Sequence, residues 1–227
     1  MAYILSLETS TNVCSVALHA DGILKFTAEV HEEQAHAAKL ALLVDQLLHL
    51  TGIVPGELAA VAISSGPGSY TGLRIGTSTA KGLCFALKIP LIAIGTLELL
   101  TFQMQRVNHS GSVLCPMIDA RRMEVYCMLT DAEGRVLSAP HARVIDRTSF
   151  ADMLDAGQVI FFGNGASKCK SEIAHSNAVF TGGIYPLASL LGEMAADRWR
   201  SRNFADLSAF EPLYLKDFVA KKARTLV

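Results

Sequence analysis

The chain has 227 residues, 51% of them hydrophobic and 18% charged, with a formal net charge of -1. That much apolar material supports one large or two small cores, and the balanced charge supplies no field to draw in a polyanion. No apolar run approaches the ~18 residues that span a bilayer, and Met1-Ala2-Tyr3-Ile4-Leu5-Ser6 reads as a strand without a basic leader or cleavage site, so a cytoplasmic protein without membrane contact is expected. The cysteines Cys14, Cys84, Cys115, Cys127 and Cys169 stand in apolar settings without Cys-x-x-Cys spacing, which favours reduced core thiols over disulfides or zinc ligands.

In chain order, residues 3–8, 13–20 and 23–29 alternate as a three-stranded meander, with Asp21-Gly22 as a tight hairpin turn. A helix over 32–50 follows. Its polar positions fill only part of the circumference, leaving the stripe Leu40, Leu43, Leu47 and Leu50 and a second stripe at Ala41, Val44 and Leu48. That wide apolar arc needs two burial partners, either neighbours within the chain or another chain. His31 and His36, five residues apart, do not align as a ligand pair on a helix.

A strand over 58–64 leads into Gly66-Pro67-Gly68-Ser69-Tyr70-Thr71-Gly72-Leu73-Arg74, a strand-to-helix elbow in which Ser69 or Thr71 can cap the helix over 72–87. Such a loop is either an anion cradle or a rigid structural elbow. It lacks the phosphate-loop lysine and the dinucleotide glycine spacing. Gly72, Gly76, Thr79 and Leu83 share one stripe, which leaves room for a close neighbour. The residues Leu40, Leu43, Leu47, Leu50, Gly72, Gly76, Thr79 and Leu83 are therefore assigned to a partner interface and expected to be exposed in the monomer.

After a strand over 91–94, the second half repeats part of the plan. Strands are expected over 112–119, 124–130 and 136–139, a short helix over 149–155, a strand over 159–163, a helix over 167–175, a short strand over 178–180 and a helix over 187–201. The polar stretch 106–111 is the boundary between a lobe over 1–106 and a smaller lobe over 107–227, whose last segment can return across the lobes. The order implies an α/β duplication. Arg121-Arg122 and the cations Lys216, Lys221, Lys222 and Arg224 read as solvated surface rather than an autonomous nucleic-acid site.

Four segments in this order, Leu7-Glu8-Thr9-Ser10, the elbow 66–74, Ile118-Asp119-Ala120-Arg121-Arg122 with Glu124-Val125-Tyr126, and Glu211-Pro212-Leu213-Tyr214-Leu215, together resemble the bacterial TsaB (YeaZ) family. The resemblance implies an actin-like ATPase (ribonuclease H-like) duplication, two lobes each with a mixed sheet flanked by helices. It implies a shortened paralogue of TsaD, which installs threonylcarbamoyl on the adenosine 3′ of the anticodon in tRNAs reading codons that begin with A. The implied role is a scaffold that binds TsaD as a heterodimer, works with TsaE, pairs with itself when alone, and meets tRNA through the complex. TsaD carries a His-x-x-x-His metal site where this chain has Thr96 and Leu100, so no metal is expected. A vestigial nucleotide turn is placed at Glu8, Thr9, Ser10 and Asp119, and Gly163-Asn164-Gly165 reads equally well as an echo of the adenosine loop or as a plain strand-to-helix turn. No cofactor of its own is expected, and ATP or ADP is placed at most at a subunit junction. No catalytic residue is assigned. The rival function is an actin-like ATPase or a hydrolase acting alone, although Ser64, Ser65 and Ser69 have no histidine near them in sequence.

Overall fold

The computed structural model describes residues 1–32, 36–108 and 110–216. Part of the first turn expected for the 32–50 helix, together with His109, Lys221, Lys222 and Arg224, lies outside the described residues.

The first half builds β1 (Tyr3–Glu8), β2 (Cys14–Ala20), β3 (Ile23–Val30), α1 (His36–Thr51), β4 (Leu58–Ser64), α2 (Tyr70–Leu87), β5 (Leu91–Ile94) and α3 (Thr96–Gln105). Asp21 and Gly22 both take left-handed backbone, φ 50° and 85°, the pairing a two-residue hairpin needs to match strand twist. The sheet order is β3-β2-β1-β4-β5, antiparallel through the hairpins and parallel from β1 to β4 to β5.

The second half supplies β6 (Val113–Asp119), β7 (Glu124–Thr130), β8 (Val136–Val144), α4 (Ala151–Ala156), β9 (Val159–Phe162), α5 (Ala166–Cys169), β10 (Ala178–Thr181) and α6 (Ala188–Arg200). Its sheet runs β10-β9-β6-β7-β8, with β6, β7 and β8 antiparallel and β6, β9 and β10 parallel. Each sheet is thus a meander continued by two parallel strands, and the fold is a two-lobed α/β duplication. The helix expected over 167–175 contracts to the four residues of α5, while β8 runs on through Pro140 on the sheet edge, where a missing N–H costs no ladder bond.

Alternation along β1 splits the first core. Leu5 and Leu7 join Leu40, Leu43, Val44, Leu47, Ala80 and Cys84 beneath α1 and α2. Ile4 turns the other way, to Ala62, Ile92, Leu191 and Ala195 beneath α6. The last helix of the second half therefore covers the first sheet. In exchange, α3 from the first half places Leu97, Leu100 and Met104 on Leu114, Ile118 and Phe162 of the second sheet. Periodicity had not marked α3, because its buried positions go nearly all round.

Beyond α6 the chain crosses back along the first lobe. Ala205 bridges Leu91, Lys81 Nζ donates to the carbonyls of Ser208 and Phe210, and Leu213 N donates to the Ser65 carbonyl at 2.7 Å. Lys216 then pairs with Glu124 of the second lobe. The Glu211–Leu215 segment is the strap that ties the elbow to both sheets.

Candidate functional site

The elbow after β4 closes over the turn after β1. Ser69 caps α2, its Oγ accepting from Gly72 N at 3.2 Å, and Ser69 N donates to the Ser10 carbonyl at 2.7 Å. Thr9 Oγ1 donates to the Gly72 carbonyl at 2.8 Å. A Cβ on Gly72 would collide with the Thr9 carbonyl oxygen, one on Gly76 with the Thr9 hydroxyl, and one on Gly68 would lie 2.8 Å from Ser10 Cβ. The glycines let α2 approach the chain's own turn.

Glu8 lies beneath that closure with no exposed surface. Its Oε1 accepts from Ser10 N at 2.6 Å and Ser10 Oγ at 2.5 Å, and its Oε2 accepts from Ser64 Oγ. Burial raises the carboxyl from 4.5 to about 7, against the opposing pull of the Ser10 hydrogen bonds. Thr9 and Ser10 are buried with it. The elbow thus encloses Glu8, Thr9 and Ser10, while Asn12 of the same turn is exposed.

The corresponding second-lobe turn is tied by Lys168, whose Nζ pairs with Asp119 and donates to the carbonyls of Arg122 and Glu124, both at 2.7 Å. Asp119 also accepts from Arg121 N at 2.8 Å, and its own N–H donates to Asn164 Oδ1 at 3.1 Å. Arg121 and Arg122 hold left-handed backbone at φ 67° and 50°. Between the lobes lies a polar cleft of about 660 Å³ lined by Asn12, Asp119, Asn164, Lys170, Gly183 and Tyr185. Asp119 thus borders the cleft, whereas Glu8, Thr9 and Ser10 do not line it. On the α3 side, Thr96 and Leu100 are fully buried.

The residues assigned to a partner interface divide. Leu40, Leu43 and Leu47 are core residues of the first lobe, and Gly72 and Gly76 abut Thr9. For these five the expected exposure is corrected: the leucine stripe is the face that β2, β3 and α2 cover, and the glycine stripe serves an internal contact. Thr79 and Leu83 are half-buried, and Leu50 is 67% exposed. The outward apolar groups are Leu42, 49% exposed, Leu50, and Phe85, 80% exposed. The apolar stripes read from the sequence include neither Phe85 nor Leu42. The signal was an arc of Thr71, Ser78 and Gly82 that leads to a lone phenylalanine, since small polar residues at helical spacing mark the solvent side.

Residues 29–224 match the family described as TsaD: tRNA N6-adenosine threonylcarbamoyltransferase. The chain belongs to this family, in its TsaB (YeaZ) branch. It is 37% identical over 123 residues to an Escherichia coli protein named tRNA threonylcarbamoyladenosine biosynthesis protein TsaB, a match covering 54% of this chain and 52% of that one. The chain spans about half the length of the curated relatives it matches. A Pseudomonas aeruginosa structure described as similar to peptidase YeaZ superposes with TM-score 0.82 at 27% identity, covering 95% of this chain and all of that one. An activator of 2-hydroxyisocaproyl-CoA dehydratase from Clostridium difficile, solved with bound ADPNP, superposes with TM-score 0.52 at 10% identity over 88% of this chain and 97% of that one, a likeness of fold alone.

Proposed function

We propose that this chain is a noncatalytic subunit that works with TsaD and TsaE in threonylcarbamoyl transfer to the adenosine 3′ of the anticodon in tRNAs reading codons that begin with A. The observation that carries the reading is the sealing of Glu8 under the chain's own elbow, which keeps its carboxylate away from the cleft. The family membership and the naming of its relatives supply the pathway. The apolar groups Leu42, Leu50 and Phe85 on the outer side of α1 and α2 support a protein partner there. TsaD is the proposed occupant, and a second copy takes the same face when TsaD is absent. ATP or ADP is proposed at a subunit junction, where a partner supplies the phosphate contacts that the first lobe lacks. tRNA is met through the complex, in the cytoplasm; among the described residues no helix is long and apolar enough to cross a membrane.

The test is reconstitution with purified TsaD, TsaE, tRNA, ATP and threonylcarbamoyl-adenylate. The chain alone is expected to modify no tRNA and to turn over no ATP, and its addition to TsaD and TsaE to switch modification on. Robust ATP hydrolysis by the chain alone, abolished in Glu8→Ala, would establish the rival enzyme instead.

A further inference from the structure

Cys127 on β7 and Cys115 on β6 face the same side of the second sheet, toward α4 and α5. Register pairs Met117 with Cys127, which puts Cys115 two residues along that face, and both thiols belong to the same buried cluster. On the opposite flank β8 sets His141 directly across from Cys127, with Nε2 3.7 Å from Sγ. His141 Nδ1 lies 2.8 Å from the Ala139 carbonyl oxygen. A carbonyl can only accept, so Nδ1 carries the proton and Nε2 turns its lone pair to the thiol. The arrangement is a nucleophile, a base and a group that orients the base.

The surroundings set Cys127 apart from the other thiols. The neighbouring Cys115 thiol, against burial and with help from Arg143, holds Cys127 below the ordinary thiol range, while Cys115 itself is pushed well above it by burial and by Cys127. Arg143 lies two residues along β8, its guanidinium 4.1 Å from the Phe150 ring centre. The remaining titratable neighbour, Cys169 of α5, is pushed up to about 11 by burial, as are Cys14 and Cys84. Cys127 is itself fully buried, on the strand next to the edge strand β8. The β7–β8 ladder is irregular between Cys127 and Leu129, and Pro140 beside His141 has no N–H to give it. A small oxidant reaches Cys127 only when that edge opens locally.

We propose that Cys127 is a peroxide-reactive thiol, with His141 as its base and Cys115 as its resolving partner, so that a hydroperoxide converts the pair into an intramolecular disulfide. Cys127 passes its proton to His141 Nε2, and the sulfur attacks the terminal peroxide oxygen. An S–O bond forms as the O–O bond breaks, and the departing oxygen takes the proton from His141 as water or an alcohol. Cys115 sulfur then attacks Cys127 sulfur, and the hydroxyl of the sulfenic acid leaves with the Cys115 proton as water. The two thiols lose two electrons and the peroxide gains them.

The experiment exposes the native full-length chain to hydrogen peroxide and maps its cysteines by peptide mass spectrometry over time. Expected are a Cys115–Cys127 linked peptide as the earliest product, a dimedone-trapped sulfenic acid on Cys127 in Cys115→Ser, and a fall of at least ~10-fold in rate for His141→Gln, whose base is gone. Circular dichroism reports whether each variant is folded, and competition among the native thiols needs no variant at all. Oxidation of Cys127 no faster than that of Cys14 or Cys84 in the unaltered chain would overturn the proposal, as would an unchanged rate in folded His141→Gln or a lasting sulfenic acid without the disulfide.

Discussion

Glu8 makes the stability of the first lobe depend on pH. Its folded value, about 7, lies above the ordinary 4.5, so between those limits the unfolded chain gives up a proton that the folded chain keeps. The buried carboxyl therefore costs nothing below about 4.5, costs progressively more up to about 7, and exacts a constant penalty above that. A shift of this size corresponds to roughly 3 kcal/mol. Glu8→Gln removes the penalty and keeps an acceptor for Ser10. Urea unfolding of both proteins at pH 5 and pH 8 should show the variant gaining up to ~3 kcal/mol on the parent at the higher pH; an equal difference at both would contradict it. His19 works in the opposite direction. Buried against Gly192 of α6, it has its pKa lowered by burial, against the pull of Glu193 and the Ser189 backbone. The unfolded chain binds the proton first, so this contribution is lost as pH falls below the ordinary 6.5. Because His19 is common to both proteins, their difference isolates Glu8.

At the scale of elements, α1 and α2 show what helical periodicity can and cannot settle. Leucines four or three apart announced a buried stripe, but periodicity does not say whether a sheet or a partner buries it. The sheet takes Leu40, Leu43 and Leu47, so Leu47→Asp should unfold the lobe rather than release a partner, seen as loss of the far-UV circular dichroism signal at room temperature. The glycines of α2 separate just as sharply. Gly76→Ala should cost about 1 to 3 kcal/mol through its clash with Thr9, whereas Gly82, with nothing within 4 Å of a built Cβ, should gain up to ~1 kcal/mol as Ala. Thermal melts of the two variants, moving in opposite directions, check the assignment. The capping role of Ser69 and the Asp21-Gly22 hairpin were legible, because both rest on local backbone chemistry. Ser64 against Glu8 and Lys168 against Asp119 were not, since those partners are 56 and 49 residues apart in sequence.

For the whole molecule, the repeated meander with its two parallel strands was readable from alternation, but the exchange of α3 and α6 between the halves was not. Each covers the sheet of the other half, a choice set by which apolar face remains open after the sheets form. The strap over 211–216 joins Ser65 beside the elbow to Glu124 of the second lobe. With Glu8 enclosed by the elbow, the proposed partner surface is the outer side of α1 and α2. Sedimentation velocity of the double variant Leu42→Asp, Phe85→Asp, alone and mixed with TsaD, tests that claim most directly. The variant should keep its far-UV spectrum, sediment as a monomer where the parent self-associates, and lose at least ~100-fold in affinity for TsaD, the size of loss expected when an aromatic anchor, Phe85, is removed together with an apolar neighbour. A folded variant that still pairs with itself and with TsaD as the parent does would contradict the account.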